Sequence, residues 1–256
     1  MKKTLIVLVL ALFVFSSISD AQRRRRGGRS TTSSTQAGGP GMVSEPCTAS
    51  IKSIEDCPDQ GCGGSFDAFL NEQKNIRTTS ESVTDKTLQA LADLPDPVPG
   101  FKKGDPRDPL AALGEGKMIR VMAFALVARK GSSETCNCHL TAPKDTDNHI
   151  VLVDPSITTP TLAADEPESQ TAEFAPRVRL DHPGLVGAKL QALIAATPKK
   201  ALLVRVTGLQ MFDSEHSLGR HLKRHNNWEI HPVMGLEFCP KAKKCTADSD
   251  ANWKAL

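Results

Sequence analysis

From Lys117 onward the chain alternates apolar, β-compatible runs with turn signals. Met118 to Ala128 is one long run closed by Lys130 and Gly131, and Glu134 to Leu140 and His149 to Val153 are shorter runs. Three such runs with short connections predict an antiparallel meander. Thr161 to Glu168 reads as an acidic, proline-containing loop, and Phe174 to Leu180 as a candidate further strand. Leu185, Leu190, Leu193 and Ile194 share one face of a helix that stops at Pro198. Leu202 to Phe212 and Trp228 to Phe238 are again strand-like. Three strands, a helix between strands and two further strands predict a mainly β fold, an OB-like five-stranded antiparallel barrel over residues 111–256. Roughly 140 residues suffice to bury a core of that kind.

Upstream, residues 47–110 form a small Cys-containing helical extension with a connector. Phe66, Phe69 and Leu70 fall at helical spacing, as do Leu88 and Leu91, but together they are too few to enclose a core. Pro95, Pro97, Pro99, Pro106 and Pro109 make a stiff connector that breaks helices. Residues 22–46 read as arginines followed by Gly, Ser and Thr, a basic tail expected to be disordered because it has almost nothing apolar to bury. Residues 1–21 have the order of a signal peptide: Lys2 and Lys3, an apolar run from Leu5 to Phe15, then Ser19 and Ala21 at the positions a signal peptidase reads. The run is shorter than the roughly 20 residues a membrane span needs. Export is the expectation, to periplasm or medium, with no transmembrane segment in the mature chain.

Composition changes this picture little, while charge changes it more. Hydrophobic residues make up 39% and charged residues 24%, but aromatic residues are 4% and tyrosine is absent, a poor supply for an aromatic stacking surface. The formal charge is +3, from 32 basic and 29 acidic residues. Removing Lys2, Lys3 and Asp20 with the leader leaves 30 against 28, and removing Arg23 to Arg26 and Arg29 leaves 25 against 28. The body is therefore slightly acidic, which argues against global attraction to nucleic acid. The positive excess sits in the tail, where Arg23, Arg24, Arg25 and Arg26 suit attachment to an anionic envelope surface or serve only as a solvated spacer.

Seven cysteines in an exported chain read as disulfides plus one left over. Cys239 and Cys245 flank a short turn and form the expected pair. Cys136 and Cys138, two apart in a predicted strand, point the same way and must each find a partner elsewhere. Cys47, Cys57 and Cys62 remain to staple the extension to the barrel. The competing reading is a zinc site drawn from Cys57, Cys62, Cys136, Cys138 and His139.

Candidate chemistry gathers near the ends of predicted strands. His149 opens a strand directly after the acidic turn Asp145 to Asp147; Asp213 and His216 follow a strand in a loop with Glu215; Glu229 and His231 share a face of the last strand. In an OB-type barrel His149, Asp213, His216, Glu229 and His231 would converge at one mouth. Imidazoles and carboxylates so placed can hold a divalent metal or divide acid and base roles near neutral pH. Arg205, Arg220, Lys223 and Arg224 would add positive charge suited to phosphate, with Trp228 as a candidate ligand contact or a core residue. The competing reading is that these polar groups only support the barrel backbone.

The strings Glu134-Thr-Cys-Asn-Cys138, Thr146-Asp-Asn-His149, Val204-Arg-Val-Thr-Gly208, Phe212-Asp-Ser-Glu-His216 and Trp228-Glu-Ile-His-Pro-Val233 resemble a set of uncharacterised bacterial exported proteins. Cys57-Pro-Asp-Gln-Gly-Cys-Gly-Gly64 resembles an extension that some of them carry. The resemblance implies bacterial origin and one domain plus extension, and brings no established activity. Three functional classes stay open: an exported, disulfide-stabilised binding protein for nucleic acid, oligosaccharide or an envelope component; a metal-dependent hydrolase of phosphodiesters; and a structural envelope protein without a pocket.

Overall fold

In the computed structural model the described residues are 39–78, 82–216, 223–241 and 243–256. The chain separates into two units, Met1–Thr35 and Gln36–Leu256, and every described residue lies in the second. The leader and Arg23 to Arg26 fall outside the described residues, as does Arg220.

Chain order begins with a two-stranded ribbon, β1 (Met42–Glu45) against β2 (Gly63–Asp67), so the last residues of the expected tail are ordered by pairing. Helix α1 (Ala68–Lys74) follows, N-capped by Asp67, whose carboxylate accepts from Leu70 N at 3.1 Å and from Gly104 N at 2.9 Å. Strand β3 (Thr84–Lys86) and helices α2 (Leu88–Ala92) and α3 (Asp108–Ala111) complete the extension. Its apolar residues are divided: Ile54, Cys57 and Cys62 form a small cluster with Cys138, Leu88 and Leu91 join the main core, and Val98 and Leu110 pack with Phe212 and Trp228.

The long strand β4 (Met118–Lys130) founds the barrel. Ile119, Val121, Ala123 and Ala125 alternate into the core. A register shift between Ala125 and Val127 then bends the strand, so that its first part pairs with β7 (Leu202–Phe212) and its last part with β5 (Asn148–Val153). One strand thereby serves two neighbours, which closes the sheet. Next come α4 (Leu162–Asp165), β6 (Gln170–Phe174), α5 (Pro176–Asp181) and α6 (Gly187–Ala195), with β8 (Trp228–Phe238) and β9 (Lys254–Ala255) after β7.

Around the barrel the order is β4-β5-β6-β8-β7 and back to β4. This is the expected OB-like closed barrel, mainly β, with α6 between its third and fourth strands. Four junctions are antiparallel, whereas β6 meets β8 in parallel, where antiparallel pairing was expected throughout. Leu190 and Ile194 of α6 are fully buried in one core with Ile150, Leu152, Ala172, Phe174, Val204 and Ile230, and burying a leucine or isoleucine side chain in this way contributes about 1.5–3 kcal/mol of transfer free energy.

Two expected strands are something else. Glu134 to Leu140 is a 3-10 turn over Thr135–Asn137, because Cys138 and His139 adopt left-handed backbone (φ 53° and 57°) and Asn137 Oδ1 accepts from Glu134 N. Phe174 is the end of β6, and Pro176, whose fixed φ suits the first position of a helix, starts α5. Within the acidic stretch 161–168, Thr161 caps the short α4.

Disulfides join Cys47 to Cys62, Cys57 to Cys138, and Cys239 to Cys245 as expected. The second ties the extension to the barrel. Cys136 is a buried free thiol, so only one cysteine of its pair found a partner. With Cys57, Cys62 and Cys138 bonded, the cysteine zinc site is overturned.

Candidate functional site

Alternation along three neighbouring strands places the polar residues. Ile150, Ala172 and Ile230 enter the core, so His149, Thr171, Glu173, Glu229 and His231 lie on the outer face of β5, β6 and β8. His149 pairs in register with Glu173, and Thr171 with Glu229. The extension and the first barrel loop then cover this face. Asn71 Nδ2 donates to Thr135 Oγ1 at 3.1 Å and Asn75 Nδ2 to Cys136 O at 2.9 Å, stitching α1 to the 3-10 turn and setting Lys74 inside. Arg179 of α5 donates to the carbonyls of Lys144 and Thr146, which fixes the turn presenting Asp147.

The result is a continuous buried network. Lys74 Nζ donates to Glu134 Oε2 at 2.7 Å, and the Cys136 thiol donates to the same oxygen at 3.5 Å. His231 Nδ1 lies 3.2 Å from Glu173 Oε2 and 3.5 Å from Glu229 Oε2, without the alignment of a hydrogen bond to either. His149 Nε2 is 3.4 Å from Glu173 Oε1. Arg224 clamps the other end, donating to Glu229, to Asp213 Oδ2 at 2.9 Å and to Asn227 Oδ1 at 2.8 Å. Asp213 Oδ2 is also 2.7 Å from His216 Nδ1. The members are buried except at the two ends, where the His149 and His216 side chains are 37% and 42% exposed.

Burial and mutual charge pull the titrations apart. Burial, reinforced by Glu134, pushes Asp147 up to about 7. Burial works against the charged form of His231, yet Glu173 and Glu229 carry it up to about 10. Glu173 is held low against its own burial by His149 and His231. Lys74 stays well above its ordinary range despite burial, because Glu134 and Asp213 face it. Burial and Glu134 raise the Cys136 thiol well above its usual range, so it stays protonated and unreactive. Separated titrations of this kind mark functional sites more often than chance, though ion-pair networks produce them too.

All five predicted polar residues, His149, Asp213, His216, Glu229 and His231, therefore belong to one connected network, on the outer face of the barrel and mostly beneath a cover. Glu173, Asp147, Glu134 and Lys74 connect it, and sequence reading passed them over as candidates. Glu173 was hidden because the expected strand began at Phe174, four residues after β6 starts; as the residue just before the inward-facing Phe174 it carried the signal of an outward carboxylate. Lys74 and Glu134 come from segments whose placement depends on tertiary packing.

Of the expected ligand contacts, Lys223 and Arg224 lie together beside His149. With Arg129, Glu166 and Thr171 they line an open basin of about 310 Å³ on the outer face. Arg205 is elsewhere, paired with Glu237 and Asp250 and stacked on Trp253. Trp228 is a core residue, fully buried against Phe212 with its ring nitrogen donating to Pro95 O, so it offers no surface to a ligand.

No family model and no curated protein matches the sequence. Among solved structures the chain is similar to one described as an aspartyl-tRNA synthetase from Leishmania major Friedlin, at 14% identity and TM-score 0.32, over 67% of this chain and 23% of that one. It is also similar to an Entamoeba histolytica asparaginyl-tRNA synthetase in complex with asparaginyl-adenylate, at 12% identity and TM-score 0.29, over 67% and 28%. The chain spans about a quarter of the length of these structures. At such scores they carry no argument about function, and the barrel stands on its own strand ladder. Among the described residues no helix is long and apolar enough to cross a membrane.

Proposed function

We propose that this is an exported, disulfide-stabilised binding protein whose OB-like barrel captures a phosphate-bearing ligand in the outer basin. The observation that carries the reading is the lining of that basin: His149, Lys223 and a half-exposed Arg129, paired with Glu166, gather on the strand face with which OB-type barrels bind oligonucleotides and oligosaccharides, while the buried Arg224 stays engaged by Glu229 and Asp213 beneath them. Arginine and lysine there suit phosphate oxygens, and hydroxyl recognition by Thr171 is compatible with an adjoining sugar. Among the described residues the basin is lined by no Phe, Tyr or Trp, so charge rather than base stacking is the expected source of affinity. Three disulfides and the leader pattern support export to an oxidising compartment.

Fluorescence anisotropy of the full chain with a short labelled single-stranded oligonucleotide tests this. Binding should weaken with salt, and Lys223→Glu and Arg129→Glu should each reduce the slope of log affinity on log salt by about 0.7. A neutral oligosaccharide that binds better, or binding indifferent to both substitutions, would remove phosphate as the recognised group.

A second reading, metal-dependent phosphodiester hydrolysis, is favoured by one observation: His149 belongs both to the basin and to the buried network. Cleavage of plasmid DNA or RNA that is lost with chelator and in His231→Ala and Asp213→Asn would establish it. Intact substrate under all conditions would leave the binding reading alone.

A further inference from the structure

Within the network, the permanent cations are already engaged. Lys74 is taken by Glu134, and Arg224 by Glu229 Oε1 and Asp213. Neither Asp147 nor Glu173 has a direct ion pair with either cation, and among the described residues Glu173 pairs only with His149 and His231. The ligand atoms of Asp147, Glu173 and His231 lie within 4.8 Å of one another on buried side chains. Independently, His231 is fully buried and neither of its ring nitrogens has a hydrogen bond, while Asp147 Oδ2, Glu173 Oε2 and Glu229 Oε2 are buried oxygens equally without one. Buried polar atoms are normally satisfied, so so many turned toward one point need a shared partner.

The geometry points to a buried divalent-cation site in which Asp147, Glu173 and His231 supply the ligand atoms, with Glu229 Oε2 beside it at 3.5 Å from His231 Nδ1. One imidazole with carboxylates is a donor set for a first-row divalent ion such as zinc or manganese. The 3.2 Å between His231 Nδ1 and Glu173 Oε2 fits two ligands of one ion, because metal bonds of about 2.0–2.1 Å put tetrahedral ligands about 3.3–3.4 Å apart. The neighbouring group Glu134, Cys136 and Asp147 is a poorer choice, since the Lys74 ammonium occupies its Glu134 corner at 2.7 Å. A proton on His231 is the rival occupant, and metal entry would displace it. The site is closed to solvent, so its role is to neutralise and hold the covered face. It is independent of what the outer basin binds.

The full chain with its disulfides intact is dialysed against chelator, loaded with Zn²⁺ or Mn²⁺ alone, desalted and measured for metal and thermal midpoint. One equivalent should be retained, with the midpoint raised by about 5 °C or more. Asp147→Asn and Glu173→Gln should each lower retention at least about tenfold, while Glu237→Gln, on another face, leaves it unchanged. X-ray absorption of the zinc-loaded wild type should show an imidazole and oxygen donors. Wild type that retains no metal, variants that retain a full equivalent, or sulfur among the donors would each overturn the site. The wild-type measurements decide the matter even if the variants fail to fold.

Discussion

Lys74 carries a charge inside the protein with one short contact, to Glu134, holding it there. Removing one partner of a buried pair leaves the other uncompensated, so Lys74→Met should destabilise by about 3–5 kcal/mol in denaturant unfolding. The double variant Lys74→Met, Glu134→Gln should recover much of that loss, and no recovery would mean that the pair is not the source. His216 gives a pH test. Its hydrogen bond with Asp213 raises its pKa above 6.5, so the stability it contributes is full below about 6.5 and is lost as pH rises through the folded value. The thermal-midpoint gap between wild type and His216→Gln should be widest near pH 6 and shrink toward pH 9. A gap that widens with pH would contradict the pairing. The half-exposed imidazole keeps the effect small.

At the scale of elements, Gly208 sits where β7 crosses β8 at a break in register, and an added Cβ would lie 2.6 Å from Pro232 O and 2.8 Å from Ile230 Cγ2. Both neighbours are fixed in the barrel wall, so Gly208→Ala should cost about 1–3 kcal/mol by overpacking, read from chemical denaturation. The disulfides should rank by loop size. Losing the Cys57–Cys138 bond, which spans 81 residues, should cost about 4–5 kcal/mol in the chain-entropy model, against about 2 kcal/mol for Cys239–Cys245, which spans 6. Equal costs from paired serine variants would point to residual unfolded-state structure.

The same scale shows what sequence could tell. Four of the five barrel strands, β4, β5, β7 and β8, and also α6 were legible because the long strands alternate apolar positions over many residues and α6 keeps its helical stripe, whereas the short β6 was expected only from its last residue onward. The turn at Glu134 to Leu140 was not, since its left-handed Cys138 and His139 are neither glycine nor asparagine and give no local warning. Half of the site was legible for the same reason: period-two placement put Glu229 and His231 on one face, whereas Lys74 reaches that face through folding of a distant segment.

For the molecule as a whole, the feature that matters is the burial of a carboxylate-rich strand face beneath a tethered extension. A barrel cut from residue 111 onward would expose Glu173, Glu229 and Asp147 without Lys74, and would also lose Leu88 and Leu91 from its core. Such a fragment is expected to give a poorly dispersed NMR spectrum, and a well-folded one would show that the barrel stands alone. The two parts thus cannot be traded as interchangeable modules. A change that improves one must be tolerated by the other, so recombination or engineering that swaps either piece would have to carry the matching charges along with it.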